Sequence, residues 1–267
     1  MAKIERTAPQ SELWPTAYLD GDGLGASTPD EVALIILNSP ISSYEYFRRL
    51  YDHASLRTCA DGGANRLHDL LTMQFKDDDP SSALRRAPPS LIHGDLDSLL
   101  PDVRGRYESI GVEVSEDADQ YSTDFGKAIK QTLSRMPIVR DILVLGSIGG
   151  RVDQGLGLLG ELYREQEVNH PGVRFWLFTE ASVSTILTPG TTILHTPLSQ
   201  GLIKRSVGIL PLYGSSVITT QGFEWDVKDW ETEMGGNVST SNHIVADRIT
   251  IDTTKNVLFT VERSVDR

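Results

Sequence analysis

Two continuous runs of apolar residues constrain most strongly how this chain can fold. VALIILN begins at Val32 and DILVLG begins at Asp141. Continuous runs of this kind are typical of strands that are buried on both faces of a parallel sheet. Helical patterns separate the strand patterns between them, and such alternation implies right-handed crossover connections. The sequence therefore predicts an α/β N-terminal domain with a mainly parallel, Rossmann-like sheet.

The pattern changes at about Val173, from alternating strands and helices to short strand-like stretches. RFWLFTE is the first of these stretches, and Pro and Gly turns separate those that follow. This pattern favours an all-β sandwich as the C-terminal domain. We expect an N-terminal extension at 1–31, an α/β domain at 32–175 and the sandwich at 176–267. Residues 76–90, rich in Pro, Ser and charge, read as a surface insertion without a catalytic role.

The net charge restricts the partners of the chain. Lys and Arg number 25 against 37 Asp and Glu, which gives a formal charge of -12. Such a charge repels nucleic acid and anionic lipid, so we expect neither as a partner, whereas a cationic small substrate is favoured. The sequence shows neither a membrane span nor a secretory signal. The single cysteine, Cys59, excludes an intrachain disulfide, and we expect a cytoplasmic protein.

Three acidic residues lie where predicted strands or helices meet loops. Asp95 and Asp97 follow a predicted strand directly, and Asp124 lies in the first turn of a helix that begins around Ser122 or Thr123. Carboxylates so close together repel each other unless a cation lies between them. Carboxylates without His or Cys suit Mg²⁺. In the alternative interpretation, Asp95 caps a turn, Asp97 is solvated and Asp124 complements the helix dipole.

Two glycine pairs lie in predicted turns, each just before a helix. The pairs are Gly62 with Gly63 and Gly149 with Gly150. Glycines there allow the backbone to approach a phosphate, and Lys127 and Arg151 would add positive charge nearby. Any one pair can also simply end a strand. GLGLLG, at 155–160, spells a dinucleotide fingerprint but lies within a predicted helix, so we reject that interpretation.

The predicted β domain contains two polar motifs. Trp225 could provide a flat platform for an aromatic or cationic ring. The run from Ser239 to Asn242 offers small hydrogen-bonding groups. Burial statistics favour a simpler interpretation, in which Trp225 belongs to the core and the run is a turn.

Taken together, five motifs resemble the thiamine pyrophosphokinase family. In chain order they are CADGGANRL, HGDLDS, DQYSTDFGKAI, GSIGGRVDQ, and GFEWDV followed by VSTSNHI. The resemblance covers about residues 32 to 262. It implies an α/β catalytic domain that binds ATP and Mg²⁺, a thiamine-binding β-sandwich, and a homodimer whose active sites lie between subunits. It also implies the reaction, in which the thiamine hydroxyl attacks the β-phosphorus of ATP, giving thiamine diphosphate and AMP.

The resemblance also assigns roles to individual residues. It places Mg²⁺ on Asp95, Asp97 and Asp124, and it adds Arg151 and Asp153 to the catalytic residues. ATP or its phosphates would contact Asp61, Gly62, Gly63, Asn65, Lys127 and Arg151. Thiamine would contact Gln120, Asp153, Trp225, Ser239 and Asn242. A general base is not obvious, because Asp124 or Asp153 could serve and positioning alone can suffice.

Two other functions remain open at this point. A Mg²⁺-dependent nucleotide hydrolase would use the same carboxylates with water as the nucleophile, but it leaves the STSN motif unexplained. A binding module would hold nucleotide or thiamine without turnover, since a fold does not guarantee activity.

Overall fold

The computed structural model of the chain describes residues 11–21 and 23–265. Its strands are β1 (Ser11–Leu13), β2 (Val32–Ile36), β3 (Leu56–Ala60), β4 (Leu91–Gly94), β5 (Glu113–Glu116), β6 (Asp141–Leu145), β7 (Arg174–Phe178), β8 (Ser182–Leu187), β9 (Gly190–His195), β10 (Ile203–Leu210), β11 (Ser216–Gln221), β12 (Trp230–Thr232), β13 (Ser239–His243), β14 (Arg248–Thr253) and β15 (Val257–Arg263). Its α-helices are α1 (Tyr44–His53), α2 (Gly63–Gln74), α3 (Pro80–Leu84), α4 (Pro101–Ser109), α5 (Asp124–Arg135) and α6 (Val152–Tyr163), and α6 continues into a π-helical stretch, Arg164–Asn169. No helix in these ranges is both long and apolar enough to cross a bilayer.

The contacts divide the described chain into two units. An α/β unit runs from Ser27 to Glu180, and a strand-rich unit contains the described residues before and after it. In the α/β unit, six parallel strands are hydrogen-bonded in the order β7-β6-β2-β3-β4-β5. Every residue of β2 and β6 is buried, as expected for a strand covered on both faces. The predicted α/β part and the predicted strand-rich C-terminal part are both confirmed.

The order of these strands determines where a ligand can bind. From β2 the chain adds β3, β4 and β5 on one side, and then returns to place β6 and β7 on the other side of β2. The connections that leave β2 and β6 therefore diverge, which opens a crevice at the carboxyl ends of these two strands. This edge of the sheet is the topological switch point.

Helix α5 supplies much of the chemistry at this edge. Its N-cap is Thr123, whose Oγ1 accepts a hydrogen bond from the Gly126 N–H, so the predicted start near Ser122 or Thr123 is confirmed. The helix packs against β2, β3 and β4. Its buried face includes Phe125, Ala128 and Ile129. The first turn of α5 is thereby fixed beside the ends of the strands.

Strand β7 differs from the sequence-based prediction. RFWLFTE was predicted to belong to the β domain, but β7 pairs in parallel with β6 and is part of the α/β unit. Asp141 of β6 is fully buried, and its carboxylate accepts hydrogen bonds from the Arg174 guanidinium and from Trp176 Nε1 of β7. The boundary predicted at 175/176 therefore falls inside a strand. A short apolar run has the same pattern in either kind of sheet, so the pattern alone did not distinguish them.

Two further segments differ from their predicted character. Strand β1 lies within the predicted N-terminal extension but pairs in parallel with β9 of the strand-rich unit. Residues 1–10 and 22 of that extension lie outside the described residues. The predicted insertion at 76–90 contains α3, in which Ala83 and Leu84 are buried, and α3 contacts α2 and α4. The polar and charged composition of this segment did not indicate these buried apolar contacts.

The strand-rich unit has two sets of hydrogen-bonded strands. One has the order β1-β9-β14-β11-β12, and the other contains β13, β10, β15 and β8 in that order. Apart from the β1–β9 pair, its paired strands are antiparallel across the described residues. The STSN run lies in β13, so the interpretation of this run as a turn is wrong.

Candidate active site

A cleft of about 860 Å³ lies at the switch point of the parallel sheet. Residues 37–39 after β2, and Ser147 and Gly149 after β6, contribute to its wall. The four motif turns of the α/β unit also contribute, through Asp61, Asp95, Ser98, Thr123, Asp124, Ser147, Arg151 and Asp153. These turns converge because parallel strands present their carboxyl ends at one edge of the sheet.

An acidic group lies in this cleft and consists of Asp61, Asp95 and Asp124. One carboxylate oxygen of each lies within 4.8 Å of the others. Asp97, which the resemblance predicts as a Mg²⁺ ligand, is not a member of this group. Leu96 has a φ of 63°, so the chain turns between Asp95 and Asp97, and the Asp97 carboxylate accepts a hydrogen bond from Ser98 Oγ at 2.9 Å.

Asp61 is the buried member of the acidic group. It follows β3 with a φ of 43°, and only 3% of the residue is exposed. Its Oδ2 accepts a hydrogen bond from the Ser98 N–H at 3.2 Å, whereas its Oδ1 has no hydrogen-bond partner among the described residues. Burial raises the pKa of this carboxyl, against the hydrogen bonds that lower it. A buried oxygen without a partner costs free energy, which a bound cation would offset.

Lys127 is the cation that the structure places between two of these carboxylates. Its side chain is 1% exposed, and its Nζ lies 3.1 Å from Asp95 Oδ2 and 3.4 Å from Asp124 Oδ1. Burial lowers the pKa of Lys127, but the two carboxylates outweigh burial and the pKa is raised. Lys127, which the resemblance predicts at the phosphates, lies within hydrogen-bonding distance of the Asp95 and Asp124 carboxylates in the structure.

The missing side chain of Gly94 allows the acidic group to form. A Cβ at this position would lie 2.8 Å from Asp61 Cβ and 2.9 Å from Asp124 Oδ1. Both distances are shorter than van der Waals contact. Gly94 was not among the predicted site residues. A glycine directly before Asp95 and Asp97 was the sequence feature that could have indicated it.

Gly62 and Gly63 serve packing in this structure. A Cβ at Gly63 would collide with the Ile36 carbonyl oxygen, and one at Gly62 would collide with the Asn38 side chain. Both glycines therefore let the start of α2 approach the end of β2. Asn65 also has a local role, because its Nδ2 donates to the Ser98 carbonyl at 2.7 Å and its Oδ1 accepts from the Leu100 N–H at 3.1 Å. These contacts hold the loop that follows Asp97.

An exposed ion pair lies at the start of α6, on the wall of the cleft. Arg151 Nη2 lies 2.5 Å from Asp153 Oδ2, and both side chains are exposed. The contact with Asp153 raises the pKa of Arg151, and the contact with Arg151 lowers the pKa of Asp153. Gln120 is also exposed, in the loop that precedes α5.

The candidate residues of the strand-rich unit form a group of their own. Trp225 is 56% exposed, so the interpretation of this side chain as core is wrong. Asn242 is buried, and its side chain holds the Trp225 backbone: Oδ1 accepts from the Trp225 N–H at 3.2 Å, and Nδ2 donates to the Trp225 carbonyl at 3.0 Å. The Trp225 ring lies against the His243 ring with centroids 5.4 Å apart. Ser239 begins β13 and is half-buried.

The cleft contains further residues that the sequence analysis missed. Glu161 and Arg164, on the last turns of α6 and just beyond, line the cleft beside Thr123. Both lie outside the motif turns, so no local pattern marked them.

The fold and the cleft define the class of protein. It is an α/β protein with a strand-rich second unit, and an acidic cleft large enough for a small-molecule ligand lies at the switch point of its parallel sheet. Residues 47–173 match the family described as "Thiamin pyrophosphokinase, catalytic domain", and residues 191–258 match "Thiamin pyrophosphokinase, vitamin B1 binding domain". The chain belongs to the thiamine pyrophosphokinase family, as the sequence motifs predicted.

Individual relatives agree with this assignment. The chain is 34% identical to "Thiamine pyrophosphokinase 1" of Arabidopsis thaliana, a match that covers 88% of this chain and 87% of the relative. It is 29% identical to the thiamine pyrophosphokinase of Saccharomyces cerevisiae, with 88% and 86% covered. The crystal structure of the yeast enzyme superposes with a TM-score of 0.83, at 27% identity, and covers 99% of this chain and 95% of the yeast chain.

Proposed function

We propose that this protein transfers the diphosphoryl group of ATP to the hydroxyl of thiamine, giving thiamine diphosphate and AMP. The observation that carries the proposal is the acidic group of Asp61, Asp95 and Asp124, with its unpartnered buried oxygen, in a cleft of about 860 Å³. That volume lies within the range of small-molecule sites. The identity of the proposed reaction comes from membership of the thiamine pyrophosphokinase family.

The donor atoms of the acidic group suit a hard cation. The group offers carboxylate oxygens without His or Cys, which fits Mg²⁺, and the orphaned Asp61 Oδ1 gives such an ion a buried ligand. We propose that Asp61, Asp95 and Asp124 hold Mg²⁺. Asp97 remains a proposed ligand, because its exposed carboxylate lies on the same loop as Asp95. The bound ion would neutralise charge on the transferred diphosphate.

The cationic side chains have separate proposed roles. Lys127 offsets the repulsion between the Asp95 and Asp124 carboxylates, which allows them to lie close together. Arg151 presents an exposed guanidinium at the cleft, where it can bind phosphate oxygens in a bidentate manner. The glycines at 149 and 150 leave the backbone beside Arg151 open to a phosphate.

In the proposed reaction, the hydroxyl oxygen of thiamine forms a bond to the β-phosphorus. The bond from that phosphorus to the oxygen bridging to the α-phosphate breaks, and AMP leaves with that oxygen. The hydroxyl proton is released. The carboxylates that could accept it, Asp124 and Asp153, are already ion-paired with Lys127 and Arg151. We therefore assign catalysis mainly to positioning and to charge stabilisation, as is general in phosphoryl transfer.

The thiamine side of the site is proposed from the family resemblance. It comprises Trp225 and Ser239, with Gln120 and Asp153 from the α/β unit, and Asn242 would act through its hold on Trp225. We also propose a cytoplasmic homodimer with active sites between subunits, and a Rossmann-like α/β domain beside a β-sandwich. Light scattering coupled to gel filtration tests the dimer, and a monomeric mass would contradict it.

Phosphorus NMR of the purified protein with Mg²⁺, ATP and thiamine tests the reaction, beside a control that lacks thiamine. Thiamine diphosphate together with AMP, formed only when thiamine is present, is the expected result. Equal phosphate release in both samples would instead identify a nucleotide hydrolase. No turnover in either sample, with retained ligand binding, would identify a binding module.

A further inference from the structure

Glu161 is a buried carboxylate that the proposed reaction does not use. It lies on α6, and only 7% of the residue is exposed. Its Oε1 accepts two hydrogen bonds, from Thr123 Oγ1 at 2.5 Å and from Arg164 Nη2 at 2.8 Å. Burying a charged group costs free energy unless it is paired and hydrogen-bonded, so these contacts hold Glu161 at a defined position.

The contact with Thr123 connects Glu161 to the acidic group. Thr123 is the N-cap of α5, and its Oγ1 accepts from the Gly126 N–H at 3.1 Å. A hydroxyl has one proton, and donating it to Glu161 leaves the lone pairs of the oxygen for the N–H that it caps. Asp124 is the next residue, and the Lys127 N–H donates to the Thr123 carbonyl at 2.9 Å. Glu161 therefore stabilises the turn that carries both Asp124 and Lys127.

The packing around Gly126 shows how closely the two helices approach at this point. A Cβ on Gly126 would lie 2.8 Å from Glu161 Oε1 and 3.5 Å from Thr123 Oγ1. Glycine at position 126 leaves room for the Glu161 carboxylate beside the first turn of α5. The contact therefore joins the buried Glu161 carboxylate to the exposed Thr123 side chain at the wall of the cleft.

We infer that Glu161 is a positioning residue for the acidic group, because it fixes Asp124 through the Thr123 hydroxyl. The inference rests on the proposed function, in which the acidic group binds a divalent cation. Partners that orient metal ligands typically affect metal affinity about 10- to 100-fold when they are removed. Glu161 would not bind the ion itself. It contacts Thr123, and the residues of the acidic group would hold the ion.

Mn²⁺ binding, measured by electron paramagnetic resonance without nucleotide, tests the inference independently of turnover. Glu161→Leu and Thr123→Val should each weaken Mn²⁺ binding by about tenfold or more. The double variant should bind about as weakly as Thr123→Val alone, because valine already removes the contact with Glu161 as well as the cap on Gly126, and the shared contact is lost only once. Glu161→Gln retains an acceptor oxygen and should recover most of the affinity.

Several outcomes would overturn the inference. Wild-type affinity in Glu161→Leu, or a loss in the double variant that equals the sum of the single losses, would show that Glu161 does not act through Thr123. Circular dichroism shows whether Glu161→Leu folds. If it does not fold, Thr123→Val provides the test, because Thr123 is the other partner of the contact. A wild-type affinity for Mn²⁺ in Thr123→Val would then overturn the inference. If the wild-type protein and Asp95→Asn bind Mn²⁺ equally poorly, the proposed metal site itself is wrong and the inference falls with it.

Discussion

Replacing Gly94 by alanine tests the packing that brings the acidic group together. The added Cβ would lie 2.8 Å from Asp61 Cβ and 2.9 Å from Asp124 Oδ1. Carbon atoms in contact are normally about 3.5–4.0 Å apart, so Asp61 and residue 94 must separate by about 0.7 Å or more. Asp61 lies two residues before helix α2, has a left-handed φ of 43° and is buried, so it has little room to move.

This forced separation determines how much stability the substitution should cost. Overpacking of this kind costs about 1–3 kcal/mol, so urea denaturation should show a free energy of unfolding lower by that amount. Movement of Asp61 or Asp124 should also weaken Mn²⁺ binding, which titration calorimetry measures. We expect a loss of about tenfold or more, comparable with the removal of a residue that orients a ligand.

Gly105→Ala is the matched control for this substitution. Gly105 is exposed on α4, and a Cβ there would meet nothing within 4 Å. Alanine should leave Mn²⁺ binding unchanged and stabilise the protein by up to about 1 kcal/mol, because alanine favours helix. If Gly94→Ala also binds Mn²⁺ and unfolds like the wild-type protein, our account of how the acidic group is assembled would be refuted.

Three further predictions concern other parts of the molecule. Asp97→Asn should lower turnover much more than stability, because the side chain is exposed and surface changes usually stay within about 0.5 kcal/mol; unfolding with normal activity per folded molecule would make Asp97 a structural cap. Burial lowers the pKa of His93, so the unfolded chain binds the proton more tightly, and stability should fall as pH decreases below about 6.5. Urea midpoints measured from about pH 7.5 to about pH 5.5 should fall less steeply in His93→Gln, and an identical slope would contradict this. Asn242→Ala removes the side chain that bonds the Trp225 N–H and carbonyl and should cost about 1–3 kcal/mol. The protein fluorescence should also change, and Trp225→Phe identifies the part of it that comes from Trp225. Unchanged stability and fluorescence would show that Asn242 does not hold Trp225.

Sequence patterns predicted most of the secondary structure of the α/β unit because those patterns are local. The buried runs at β2 and β6 and the cap at Thr123 depend on neighbouring residues, so they could be recognised without coordinates. The site edge was also predictable, since parallel strands place their carboxyl ends together. The predicted strand content of the C-terminal part followed from its alternating stretches and its turns.

Contacts between distant parts of the chain decided the rest. Strand β7 joined the α/β unit through its pairing with β6 and through the bonds to Asp141, which its own sequence does not specify. Asn65 and Lys127 stay predicted contacts of ATP or its phosphates, but their sequence did not show that the fold would place a loop backbone beside Asn65 and two carboxylates beside Lys127.

The sequence by itself determined the family, the alternation of strands and helices, and the edge of the sheet where the site lies, because each of these depends on residues that are neighbours in the chain. Only the tertiary structure decided which carboxylates form the acidic group. Asp61 belongs to this group because Gly94 leaves room for Asp61 and Asp124 to approach each other. Asp97 does not belong to it, because the chain turns at Leu96. That choice depends on distances between separate strands and helices, and these distances exist only once the chain is folded.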